Sequence, residues 1–164
     1  MTLSRGYNPQ LLCGSQTANH EVTPSQLQGP YPPQQTILFV DDEPSILQVR
    51  RLIFESEGYS VLTAESGEEA LEILAANPVD AIVLDYLMPG LNGEETAIRI
   101  RKMQGDVPIV MSSGCLTLPA RVLALVNASV DKIIGPEPLI AALEQQLKLV
   151  AARRKRAATQ GHCA

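Results

Sequence analysis

Along the chain, short continuous apolar runs alternate with longer stretches in which apolar residues recur every three or four positions. "TILFV" (36–40), "SVLTA" (60–64), "DAIVL" (80–84), "PIVMS" (108–112) and "DKII" (131–134) read as strands, spaced as strand–helix units are spaced. Between them, Pro44 suits the first turn of a helix, and Ile46, Val49 and Ile53 then fall on one face until Gly58 ends it. "SGEE" (66–69) is a capping box, in which Ser66 caps the Glu69 amide and Glu69 reaches back; Leu71 and Leu74 supply the buried face, and Asn77-Pro78 is the stop. A third helix is predicted over Glu94–Met103, a fourth over Pro119–Asn127, and a fifth from Pro138 with Leu139, Leu143, Leu147 and Val150 on one face. Strands that are apolar throughout, joined by helices, imply a parallel sheet covered on both faces with right-handed crossovers. The pattern is that of a doubly wound α/β domain with a five-stranded parallel sheet, over residues 36–149.

The flanks differ in composition. Residues 1–35 carry Pro9, Pro24, Pro30, Pro32 and Pro33 among Gln, Ser, Asn and Thr, too few aliphatics to offset the entropy of ordering, and read as a disordered Pro/Gln-rich arm. Residues 150–164 read as a basic, disordered tail, and "RRKR" (153–156) as solvated bases favourable beside a helix C-terminus; a weak, salt-sensitive contact with nucleic acid or an acidic partner is the alternative. A chain of 164 residues, 45% hydrophobic, is sized for one domain with appendages.

Charge narrows the function. Residues 36–149 hold 17 acids against 8 bases, a formal balance of −9, which opposes direct DNA binding and suits a metal or a basic partner surface. Cys13, Cys115 and Cys163 lack zinc-site spacing and read as reduced thiols of a cytoplasmic protein; His20 and His162 fall in the flanks and support no catalysis. Neither a secretory leader nor a run long enough to span a membrane is read in the chain.

Ligands of doubly wound sheets bind beyond the carboxyl ends of the strands. There the first strand ends at Asp41, Asp42 and Glu43, the third at Asp85, and the fourth at Ser112 and Ser113. Converging acids repel strongly in a poorly solvated cleft unless a cation joins them, and hard carboxylate oxygens with no His or Cys nearby point to Mg²⁺. Glu43 has a simpler role as a solvated acid at the positive end of the next helix.

"FVDDEPS", "IVLDYLMPGLNG" and "PIVMSSG", in this order and spacing, closely resemble the receiver domain of two-component response regulators, the CheY-like, flavodoxin-like (βα)5 fold. The resemblance implies that Asp85 is the phosphoacceptor, taking a phosphoryl group from a histidine kinase or phosphotransfer protein. Mg²⁺ is implied at Asp42, Asp85 and the Leu87 backbone carbonyl, with Asp41 acting through water. Ser113 is implied to sense the phosphoryl group, Met88-Pro89-Gly90 to set the loop, and Gly93 to open the third helix. The implied function is that of a single-domain response regulator signalling through protein contacts in a phosphorelay, with no enzymatic turnover beyond self-phosphotransfer and autodephosphorylation. Its downstream protein is unknown, and the fourth helix, fifth strand and fifth helix are the family's usual surface for partners or a homodimer.

The family places a Lys then Pro at the end of the fifth strand. Counting from Ser113 along "KIIGPEP" puts Gly135 in the lysine slot, before Pro136. Lys132, three residues earlier on a continuing strand, would point to the opposite face about 10 Å back along the axis, at a rise of about 3.3 Å per residue, where the family carries its switch aromatic. A register that makes Lys132 the site lysine shortens the strand and loses the Pro match. A missing lysine favours a second reading, a degenerate receiver working as a phosphorylation-independent binding module. A third, an aspartyl phosphatase, expects a second Asp where Leu87 stands.

Overall fold

The computed structural model describes residues 34–114 and 117–160; residues 1–33 of the arm read over residues 1–35, the three cysteines and both histidines lie outside the described residues. The elements run β1 (Thr36–Val40), α1 (Pro44–Ser56), β2 (Ser60–Ala64), α2 (Gly67–Ala76), β3 (Ala81–Asp85), α3 (Gly93–Met103), β4 (Ile109–Ser113), α4 (Ala120–Leu123), β5 (Ala128–Asp131) and α5 (Glu137–Gln160). All strand pairs are parallel, in the order β2-β1-β3-β4-β5. The chain therefore winds outward from β1 in one direction and then from β3 in the other, which puts the switch point between β1 and β3.

Alternate residues of each strand feed two cores. Leu38, Val40, Ile82, Leu84, Ile109 and Met111 pack with Ala70 and Leu74 of α2 and Ala97 and Ile100 of α3. Ile37, Phe39, Ala81, Val83 and Val110 pack on the other face with Leu47 and Phe54 of α1 and Leu139, Leu143 and Leu147 of α5. Burial on both sides is why the central strands β1, β3 and β4 are largely apolar, whereas the edge strands β2 and β5 are only partly buried. Phe39 and Phe54 meet with ring centroids 4.9 Å apart, tilted by 54°.

Several boundaries depart from the sequence reading. The stripe of α1 that faces the sheet is Leu47, Arg50 and Phe54, whereas Val49 is 55% exposed. Both sets share the same helical spacing, and the apolar pattern alone favours the wrong one because an arginine sits in the true stripe. The capping box of α2 is half as expected: Ser66 Oγ accepts from Glu69 N at 3.2 Å, but the Glu69 carboxylate accepts from Glu65 N at 2.7 Å. Where a disordered tail was expected from residue 150, α5 continues to Gln160. "AARRKRAATQ" is rich in strong helix formers and carries no stop signal. The fourth helix shrinks to Ala120–Leu123.

The fifth strand starts and ends earlier than expected. Asn127 pins its start: its amide N donates to Ile109 O at 2.8 Å, and its Oδ1 accepts from Ile109 N at 2.9 Å and from Arg101 Nη2 at 2.7 Å. Pairing then runs from Val110 with Ala128 to Ser113 with Asp131. Asp131 Oδ1 accepts from Ile133 N at 2.9 Å, a local turn that ends the strand.

At the other side of the switch point, α3 begins against the end of β3. Gly93 N donates to Tyr86 O at 3.1 Å, and a Cβ on Gly93 would collide with the Asp85 carbonyl oxygen and lie 2.8 Å from Tyr86 Cα. Gly93→Ala is expected to lower the unfolding free energy by about 1–3 kcal/mol, read from urea denaturation, because either α3 or the strand end carrying Asp85 must shift. An unchanged midpoint would mean that the contact relaxes without strain.

Candidate functional site

Asp41 immediately follows β1 and is fully buried; its N donates to Ala64 O at 3.1 Å and its Oδ1 accepts from Glu43 N at 3.1 Å. Asp42 is exposed beside it. Asp85, the last residue of β3, is 4% exposed, and its Oδ1 accepts from Tyr86 N at 2.7 Å. One carboxylate oxygen from each of these three acids lies within 4.8 Å of the others. Glu43 stands at the N-cap of α1, exposed, accepting from Ser45 Oγ at 2.9 Å.

The positive charge among these acids comes from a residue the sequence reading had turned away. Lys132 Nζ donates to Asp85 Oδ2 at 2.9 Å and to Asp41 Oδ1 at 3.1 Å, and lies 2.9 Å from Asp41 Oδ2. The assignment of an empty lysine slot at Gly135 is thereby corrected. Strand alternation does not govern Lys132, because β5 has ended at Asp131 and the chain is already turning. Lys132 N still donates to Ser113 O at 3.0 Å, which holds the residue at the carboxyl edge of the sheet. Gly135 has φ of +90°, a left-handed conformation that suits glycine, and belongs to the connection into α5. The acidic site thus retains its ammonium.

Burial works against the charge of Lys132, but its hydrogen bonds to Asp85 and Asp41, with the attraction of both carboxylates, outweigh that and hold its pKa above the ordinary lysine value. A second cation, which sequence reasoning missed, approaches from α1. Arg50, 8% exposed, donates from Nη2 to Ser112 Oγ at 2.7 Å and places Nη1 3.5 Å from Asp41 Oδ2. Burial pushes its pKa down, opposed by the nearby charges of Asp41 and Asp85, yet an arginine remains charged throughout the ordinary pH range. Its guanidinium also lies 5.9 Å from the Phe39 ring centroid. The available signal was its place between Leu47 and Phe54, at spacings of three and four.

Of the remaining expected site residues, Ser113 ends β4 and is buried, and Leu87 is 61% exposed in the connection after β3. Arg50, Ser112 and Lys132 also line a cavity of about 310 Å³ between α1 and the start of α5. The donor set fits Mg²⁺: all three side chains offer hard oxygens, and the protein's own ammonium already bridges two of them. Among the described residues, no helix is long and apolar enough to cross a membrane.

Residues 37–144 match the family model of the response regulator receiver domain. The transcriptional regulatory protein GlrR of Escherichia coli is 33% identical over 115 residues, which cover 68% of this chain and 26% of GlrR. The response regulator MprA of a Mycobacterium species is 37% identical over 120 residues, covering 73% of this chain and 50% of MprA. The chain therefore spans half or less of these two relatives. Among solved structures, the response regulator TrrA of Thermotoga maritima, in complex with Mg²⁺ and BeF, is similar with a TM-score of 0.66 and 32% identity, covering 69% of this chain and 99% of TrrA.

In the absence of divalent cation, Lys132→Met is expected to destabilise the protein at pH 7 by about 1–3 kcal/mol, read from urea denaturation, since two buried carboxylates lose a charged donor. Because the folded-state pKa of Lys132 is raised, its contribution is whole below the unfolded-state value of about 10.4 and is lost as pH rises through the higher folded-state value. The midpoints of parent and variant should therefore converge in that alkaline range. Equal midpoints at pH 7 would remove the ion pairs from the stability of the fold.

Proposed function

The chain belongs to the response regulator receiver-domain family, and on that premise we propose that it is a phosphoacceptor whose Asp85 carboxylate takes a phosphoryl group from the phosphohistidine of a kinase or phosphotransfer protein. The observation that carries the proposal is the Lys132 ammonium, 2.9 Å from Asp85 Oδ2 and paired with Asp41 as well. It shows a carboxylate at the switch point already set among cations, where an incoming dianion meets positive charge.

In the proposed transfer, an Asp85 oxygen forms a bond to phosphorus as the phosphorus–nitrogen bond of phosphohistidine breaks, and the departing imidazole keeps the electron pair and takes a proton from solvent. Asp85 is pre-oriented for this, with one oxygen held by Tyr86 N and the other facing Lys132. Lys132 would follow the new phosphoryl oxygens, and the Ser113 hydroxyl would donate to one of them. Asp41, Asp42, Asp85 and the Leu87 carbonyl would hold Mg²⁺, which when bound supplies positive charge against the repulsion between carboxylate and phosphoryl group. The signal would leave through protein contacts. Lys132 is followed at once by Ile133 and Ile134, which are 79% and 64% exposed, so a displaced Lys132 would carry an apolar surface with it. The phosphorylation-independent module rested on a missing lysine, and the position of Lys132 removes that support.

The test is intact mass after incubation with Mg²⁺ and acetyl phosphate, an acyl-phosphate donor. The parent should gain the mass of one phosphoryl group, and neither Asp85→Asn nor a chelator-treated sample should gain it. A gain that survives in Asp85→Asn would assign the acceptor elsewhere; no gain with either this donor or a phosphorylated kinase would overturn the reading.

A further inference from the structure

The position in α1 that Arg50 occupies belongs to a stripe otherwise formed by Leu47 and Phe54 against the sheet. An apolar residue would fill such a place without further compensation, whereas a buried guanidinium is tolerated only where charge and hydrogen bonds compensate it. Among the described residues its polar partners are few. Nη2 has Ser112 Oγ at 2.7 Å, and Nη1 has only the Asp41 carboxylate at 3.5 Å, with neither Nη1 nor Asp41 Oδ2 making a hydrogen bond. The charge that keeps Arg50 in the core is therefore a carboxylate of the acceptor site itself.

We propose that Arg50 is a second, fixed cation of the acceptor site, a positioning residue that compensates Asp41 and thereby weakens the hold of the three carboxylates on a divalent cation. The inference rests on the acceptor reading above. The two cations differ in how they are mounted. Arg50 stands in the middle of a 13-residue helix, buried beside the Phe39 ring, whereas Lys132 stands on a turn between Asp131 and the exposed Ile133. Lys132 is the one free to turn toward a phosphoryl group. Arg50 stays, so the buried Asp41 is never left without a cation.

Charge counting gives the consequence. Asp41, Asp42 and Asp85 against Arg50 and Lys132 leave a formal charge of −1, and without Arg50 it is −2. A divalent cation is drawn more strongly to the second arrangement. At a separation of several ångströms, one unit charge acting on a divalent ion corresponds to about a tenfold change in affinity even at the dielectric of water, and to more in a buried site.

Isothermal titration of the full chain with MgCl2 at low ionic strength, alongside thermal unfolding without metal, tests this with Arg50→Met and Arg50→Lys. The expected result is a Kd lower by about tenfold or more in Arg50→Met and near the parent in Arg50→Lys. A merely structural arginine would lower the Tm of both variants and leave both Kd values at that of the parent, and this result overturns the proposal. If Arg50→Met fails to fold, Arg50→Gln, whose amide can still meet Ser112, gives the same neutral comparison. A parent that binds Mg²⁺ and accepts phosphate while the neutral variant binds no tighter refutes the role of Arg50 alone; a parent that binds no Mg²⁺ overturns it together with Mg²⁺-assisted acceptance at Asp85.

Discussion

Repulsion among three carboxylates gathered at one edge of a parallel sheet is the constraint that organises this molecule. The fold creates it, because β1 and β3 are neighbours at the switch point, Asp41 directly follows β1 and Asp85 ends β3. Burial sharpens it, since Asp41 and Asp85 are almost wholly withdrawn from water. Two cations answer it from different elements, Lys132 from the turn after β5 and Arg50 from the stripe of α1, and both approach the same Asp41 oxygen. Each is placed by structure some distance away. Asn127 fixes where β5 begins, and hence that Lys132 falls at its exit; Leu47 and Phe54 fix which face of α1 turns inward, and hence that Arg50 points at Asp41. The electrostatics of the site thus depend on strand register and helix rotation as much as on the acids themselves.

The same dependence explains what could be read from the sequence. Five continuous apolar runs separated by amphipathic stretches lead to a doubly wound parallel sheet, and that is the architecture observed, because local periodicity and topological rules carry the information. The acids were legible for the same reason, as each directly follows a long apolar run. Lys132 was not, because the span of β5 is decided by Asn127, which bonds Ile109 of β4 just before the strand starts, and by a three-residue turn at its end, while the apolar "II" after the lysine suggests a strand that continues. Asp131 and Gly135, both turn residues on either side of that "II", were the signal against it. Arg50 escaped because a search for an apolar face passes over a charged residue, although Leu47 and Phe54 bracket it.

Placing the lysine at 132 also changes what Gly135 means. Read as a lost lysine, it suggests a domain whose acidic site has lost its cation. In the structure it supplies a left-handed backbone position between the Lys132 turn and α5, and the residues it helps to turn outward are Ile133 and Ile134. The ammonium and this apolar pair share one short connection. Any movement of Lys132 toward a new charge at Asp85 therefore acts on exposed apolar surface without passing through the core. Arg50, held against Asp41 in the packed helix, makes such movement less costly, because a buried carboxylate that loses one cation keeps the other. The distribution of charge between a packed helix and an exposed turn is what would let one acidic cluster be both stable at rest and responsive to phosphate.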